Sequence, residues 1–236
     1  MITGKPRIIT NLPVQAQGFT LIAPSSSAYD SWSSIDNMPY LYRTDMGSGD
    51  WAIETWLLVT QFMSGQNFHT GLAVNFGTDL NFFYGWYQGT KIQMEKSGTG
   101  NILSAAYTSQ SVGLKIVKSG TTYTFYYKQY MGGGWTVLGT YTMSNAVVSV
   151  GLFIKTWSAI NVTSCFDYFV LDGVKDSFLG GTLASYWTFR RPIAGPSYLL
   201  DQVVNVTDPL GNSLLIPGSV RSKILDGLVA SEVVGS

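Results

Sequence analysis

Thr121-Thr-Tyr-Thr-Phe-Tyr-Tyr-Lys-Gln-Tyr-Met-Gly-Gly-Gly-Trp-Thr-Val-Leu-Gly-Thr-Tyr141 decides the fold class. Thr121 to Tyr127 is almost purely β-branched and aromatic, and Trp135 to Tyr141 repeats that composition. Such side chains fit a pleated surface and lose χ1 freedom in a helix. Between the two runs stand Gly132, Gly133 and Gly134, which permit positive φ and a tight reversal. The stretch therefore predicts a β-hairpin with glycines at its tip. A phosphate-cradling loop is the weaker reading, because neither Gly-Lys-Ser/Thr nor a helix follows.

The same grammar extends outward in both directions. Trp51, Ile53, Thr55, Leu57 and Val59 alternate along one run. Gly71-Leu-Ala-Val, Asn81-Phe-Phe-Tyr-Gly-Trp-Tyr, Lys91-Ile-Gln-Met-Glu, Gly113-Leu-Lys-Ile-Val-Lys, Val147 to Ile154 and Cys165 to Leu171 complete the set. Short runs bounded by Gly, Ser, Asn and Asp mark an all-β sandwich or barrel. The ends differ from this middle. Residues 1–28 carry Pro6, Pro13 and Pro24 and read as an extended arm, 29–172 as the sandwich, and 173–236 as a C-terminal attachment segment. In that tail, Gln202 to Thr207, Asp208 to Asn212 and Ser213 to Ile216 predict strand, turn and strand. Val220, Ile224, Leu228 and Val229 then follow at helical spacing.

Charge narrows the function. The 236 residues carry 14 Lys+Arg and 14 Asp+Glu, a net charge of zero. A non-specific nucleic-acid binder needs a basic excess, so nucleic acid is not an expected partner. Charged residues make 12% against 7 Trp, 14 Tyr and 12 Phe, enough apolar surface to exclude general disorder. The longest charge-free stretch, between Lys128 and Lys155, is too rich in Gly, Thr and Ser to span a membrane. Cys165 and His69 are the sole Cys and His, which excludes a disulfide framework, a Cys-based zinc site and a His-rich metal site. No cofactor is expected. Asp79 with Asn81, and Asp208 with Asn212, fit Asx turns better than calcium loops.

Enzymatic chemistry finds few footholds. Glycoside hydrolysis needs two carboxyls about 5–9.5 Å apart. The sequence has no Asp/Glu-x-Asp/Glu pair that would place two on one face of a strand. A pair assembled from separate strands is the remaining alternative. His69 lacks a Gly-x-Ser-x-Gly nucleophile elbow and reads as a loop histidine. Cys165 reads as a small buried hydrophobe. The chain is expected not to be an enzyme. Aromatic residues are the positive signal. Sugar rings stack an apolar face on aromatic planes, and Tyr84, Trp86, Tyr87, Trp135 and Trp157 are the candidate carbohydrate platform. Tyr84 and Trp86 share one face of their run and Phe83 and Tyr87 the other. A sandwich strand with a single core face would turn one of these sets outward.

The ordered set of motifs carries a resemblance. Gly49-Asp50-Trp51-x-Ile53-Glu54 opens it, then Gly71-Leu72-x-Val74, Leu114-x-Ile116 and Gly120-x-x-Tyr123-x-Phe125-Tyr126-Tyr127. Trp135-x-x-Leu138-Gly139, Val150-Gly151-Leu152-Phe153 and Phe166-Asp167-Tyr168-Phe169 close it. From about residue 40 to 172 this resembles the concanavalin A-like lectin/glucanase β-sandwiches, in particular the non-catalytic modules at the C-termini of family-43-type glycosidases and laminin-G-like domains. The resemblance implies a jelly roll of two curved antiparallel sheets, a fold that hosts several functions. The Glu-x-Asp-x-x-Glu strand motif of the family's glucanases is absent.

The arm and tail depart from that pattern. Together with the lack of an export signal, they resemble decorating components of tailed-phage virions, made in the host cytoplasm. The expectation is a non-catalytic virion module in the capsid or tail that joins other copies or other virion proteins through Leu199, Leu200, Val204, Leu214, Leu215, Ile216, Ile224 and Leu228. Cell-surface glycans are further candidate partners, and a carbohydrate-binding module is the alternative reading.

Overall fold

Each apolar alternation read between Trp51 and Leu171 is a strand in the computed structural model, which describes residues 18–23, 25, 27–32, 35–59, 64–77, 80–178, 183–190, 204–207 and 213–216. In chain order the strands are β1 (Phe19–Ala23), β2 (Ser31–Trp32), β3 (Ile35–Asp36), β4 (Tyr40–Arg43), β5 (Trp51–Val59) and β6 (Phe68–Asn75). Next come β7 (Asn81–Tyr87), β8 (Lys91–Lys96), β9 (Gly100–Ala106), β10 (Ser111–Ser119), β11 (Thr122–Lys128) and β12 (Thr136–Thr142). The series ends with β13 (Ser149–Thr156), β14 (Val162–Leu171), β15 (Val174–Asp176), β16 (Thr188–Arg190), β17 (Val204–Thr207) and β18 (Ser213–Ile216). The hairpin expected from the opening stretch is β11–β12, with the glycines in its connection.

Two antiparallel sheets pack face to face. The first runs β1-β14-β5-β10-β11-β12, with β15 also on β14, and the second runs β16-β4-β13-β6-β7-β8-β9. Their inner faces supply one apolar core that includes Ile53, Leu57, Leu114, Ile116 and Phe125 from the first sheet. Leu72, Val74, Tyr84, Trp86, Met94 and Leu152 answer from the second. Strand β14 breaks the alternation to serve that core. A register shift between Phe166 and Phe169 turns both rings inward although they stand three apart.

The expected domain limits need correction. Residues 19–23, placed in the arm, form β1, whose five residues pair with β14 from Phe19↔Phe166 to Ala23↔Val162. Phe19 and Leu21 are buried in the core. Residues 174–176 and 188–190, placed in the tail, add β15 and β16 to the two sheets, and Phe178 and Trp187 pack on the core. β1 and β16 are short and pair with strands far away in sequence, and β15 is a three-residue return on β14 across Asp172-Gly173, so local alternation did not distinguish them from loops. The expected strand–turn–strand in the tail corresponds to β17 and β18, paired from Val204↔Ile216 to Thr207↔Ser213. The turn between them, Leu199, Leu200 and the expected helix with Ile224 and Leu228 lie outside the described residues.

Candidate functional site

The outer face of the second sheet carries more chemistry than a solvated sheet face needs. Antiparallel partners place their side chains on the same face. Lys155 of β13, His69 of β6, Tyr87 of β7, Lys91 of β8 and Ala106 of β9 are register partners in one row across five strands. The next row reads Phe153, Gly71, Gly85, Gln93 and Ser104. Its two central glycines leave a trough. Neither position tolerates a side chain: a Cβ on Gly85 would meet the Thr70 carbonyl oxygen at 1.9 Å, and one on Gly71 the Tyr84 carbonyl oxygen at 2.2 Å. The third row holds Ala73, Phe83 and Glu95.

Four ionisable groups share the trough. Glu95 Oε2 lies 3.0 Å from His69 Nδ1 and 2.9 Å from Lys155 Nζ, and Gln93 Nε2 donates to Glu95 Oε1 at 2.9 Å. Lys155 Nζ also lies 3.7 Å from Asp30 Oδ1 and 4.5 Å from the centre of the Phe83 ring. Asp30 arrives from the segment before β2, which is pinned to the sheet by the Tyr29–Thr156 backbone bridge. Burial works against the Glu95 carboxylate, but hydrogen bonds and charge from His69 and Lys155 outweigh it and hold its pKa at about 2. Burial lowers the His69 pKa, with Glu95 opposing. The ionised Glu95 carboxylate can only accept, so the proton on His69 Nδ1 is the one donated between them. His69 Nε2 and Gln93 Oε1 are buried without a hydrogen-bond partner among the described residues.

Above this floor Tyr87 and Trp157 stack, with ring centres 5.1 Å apart and planes at 30°. Lys91 Nζ sits 4.7 Å from the Tyr87 ring centre. These groups, with Asp30, Gln93, Glu95, Lys155 and Asn101, line a cleft of about 390 Å³, within the range of small-ligand sites.

The five residues proposed from sequence thus separate. Tyr87 and Trp157 come together at the cleft. Tyr84 and Trp86 do not belong to a platform: they are 0% and 2% exposed, on the core face of β7. The expectation that only one face of this strand is buried fails as well, because Met38, Tyr40, Ala73, Phe83 and Phe153 form a second apolar cluster on the outer face. Trp135 belongs to a different surface, where Lys128 Nζ and Lys115 Nζ lie 4.3 and 5.5 Å from its ring centre. His69, expected in a loop, is a fully buried strand residue. Cys165 is buried as expected, with Thr20 Oγ1 at 3.5 Å. Asp79, Asp208 and Asn212 lie outside the described residues.

Sequence reasoning missed Asp30, Gln93, Glu95 and Lys155. The alternation Lys91-x-Gln93-x-Glu95, which puts three polar groups on one face of a strand, was the available signal. No carboxylate pair shares a strand, yet Asp30 and Glu95 meet from separate segments at one ammonium.

No protein-family model matches the chain, and no curated protein matches it either. Solved structures do. A GH43 protein from Bacillus licheniformis superposes with a TM-score of 0.52 at 17% identity over 66% of this chain and 33% of that one. A xylan beta-1,4-xylosidase from Bacillus halodurans C-125 gives 0.52 at 17% identity over 62% and 32%. A bifunctional GH43-CE protein from Bacteroides eggerthii gives 0.50 at 16% identity over 66% and 22%. The chain spans about a third of the length of the first two. At this identity the likeness is one of fold, a β-sandwich of two antiparallel sheets.

Proposed function

We propose that this chain is a non-catalytic carbohydrate-binding module of the concanavalin A-like jelly-roll type, whose site is the cleft over β8. The stacked Tyr87–Trp157 pair beside a floor of acceptors carries the reading. An aromatic wall takes the apolar face of a sugar ring, while Glu95, Asp30 and the unpartnered Gln93 Oε1 accept from its hydroxyls. The fold likeness to chains named for GH43 and xylosidase activity supports the same direction.

Two features favour binding over hydrolysis. Both carboxylates of the cleft face the Lys155 ammonium, and Glu95 titrates near 2. Hydrolysis needs one carboxyl that keeps its proton near neutral pH. No described residue supports the virion attachment expected of the tail, so glycan binding is the function proposed. A glycan array tests it: the native chain should retain at least one glycan class, and Trp157→Ala should abolish retention at an unchanged melting temperature. An array without signal, or equal retention by Trp157→Ala, would refute the site.

A further inference from the structure

A second cavity lies one strand beyond Lys91. Ala106 is the register partner of Lys91, so it stands one strand away, about 5 Å, on the same outer face. This cavity, of about 500 Å³, begins at Ala106. Its walls are Tyr107, Thr108 and Ser109 from the loop after β9, and Gln129 and Tyr130 from the loop after β11. All six lining residues are uncharged. Tyr130 is 66% exposed, the highest value among the large apolar side chains.

The Tyr130 ring lies beside Gly133. Its Cε2 and Cδ2 lie 3.0 and 3.1 Å from where Gly133 would carry a Cβ, and the Gly133 amide donates to the Tyr130 carbonyl oxygen at 2.9 Å. The glycine loop that reads as a plain hairpin tip in sequence thus sets an exposed aromatic ring at the cavity mouth. The Tyr107 hydroxyl donates to the Ser111 carbonyl oxygen at 2.6 Å. Two cavities with an aromatic group each, flanking the Lys91–Ala106 register pair, together offer more room than a single sugar ring fills.

We infer that the ligand is a linear, uncharged oligosaccharide that runs from the Tyr87–Trp157 pair past Lys91 and Ala106 and stacks a later sugar unit on Tyr130. This rests on the carbohydrate reading of the first cleft and adds the ligand's length and charge. The charged end of the track orients the chain through hydroxyl hydrogen bonds. The uncharged end offers hydroxyl and amide groups and no cation, so it gives no counterion for an acidic sugar.

Titration calorimetry with xylobiose, xylohexaose, cellobiose and cellohexaose separates the two claims. In at least one series the six-unit chain should bind the native protein about tenfold more tightly than the two-unit chain. Tyr130→Ala should bring the six-unit affinity to within about twofold of the two-unit value and leave the two-unit affinity unchanged. Gln129→Ala should act in the same direction, and Trp157→Ala should abolish both. A native protein without a length advantage, or a Tyr130→Ala variant that keeps it, overturns the track while the first cleft stands. No binding of any of the four overturns the track, and the glycan array then decides the carbohydrate reading separately.

Discussion

Glu95 accepts from His69, Gln93 and Lys155 at once, and the stability of the outer face hangs on its charge. Its folded pKa of about 2 lies below the ordinary 4.5, so the folded state favours the ionised form. The stabilisation is therefore complete above about pH 4.5 and is lost as pH falls toward 2, a span worth about 3 kcal/mol. Urea unfolding between pH 2 and 7 should show this loss, and Glu95→Gln should be about 3 kcal/mol less stable at pH 7 with a flatter acid limb. An unchanged midpoint would mean that Lys155 is neutralised by Asp30 alone. Trp86→Ala belongs to the same scale. Because Trp86 fills the core, its removal should cost about 3–5 kcal/mol by denaturant titration and should not act through ligand contact. Parity along β7 was legible in the sequence: Tyr84 and Trp86 do share a face. Which face turns inward was not legible, because Phe83 on the other side is also buried. A strand that is apolar on both faces hides its own orientation, and the polar alternation of its neighbour Lys91-x-Gln93-x-Glu95 is what resolves it.

Elements were legible where a run is long and unlegible where a short segment borrows its order from a distant partner. β5, β8 and β10 follow directly from alternation, and β7 and β11 from runs of aromatic and β-branched residues. β1 and β16 hold five and three residues, and their pairing with β14 and β4 is set by long-range register, while the three residues of β15 fold back on β14 across Asp172-Gly173. The glycine pair in β6 and β7 had a different kind of invisibility. Gly71 heads one run and Gly85 stands inside another, yet they are register partners whose backbones approach where side chains would stand. Gly85→Ala should therefore cost about 3 kcal/mol or more, since the added Cβ collides with a backbone oxygen that cannot rotate away. Gly132→Ala, whose Cβ meets nothing, serves as the control and should leave the melting temperature within about 2 °C. Equal effects in the two variants would refute the close-approach account of the trough.

At the scale of the molecule, the question is where the sandwich ends. Asp176 accepts from the Trp187 indole at 2.7 Å and from the Tyr186 hydroxyl at 2.9 Å, and the Arg43 guanidinium covers the Tyr186 ring at 3.9 Å. Trp187 stands edge-on to Phe169 with centres 5.0 Å apart, and Phe178 packs on Phe19. This segment thus ties the last strands of both sheets to β1 and closes one end of the core. Burying Phe178 and Trp187 is worth about 1.5–3 kcal/mol each, a large share of the roughly 5–15 kcal/mol that separates a folded domain from its unfolded chain. A chain cut after Asp172 should accordingly lose about 3–6 kcal/mol and aggregate or melt far below the full chain. A chain of residues 1–190 keeps every contact just named and should melt within a few degrees of the full chain, about the shift that 1 kcal/mol produces. The same two chains address the attachment role expected of Leu199 to Leu228. If that segment carries association, sedimentation should find the 1–190 chain monomeric and the full chain not. Calorimetry decides the boundary independently of that outcome: a 1–190 chain that unfolds, or a 1–172 chain as stable as the whole, would place the end of the sandwich elsewhere than at β16.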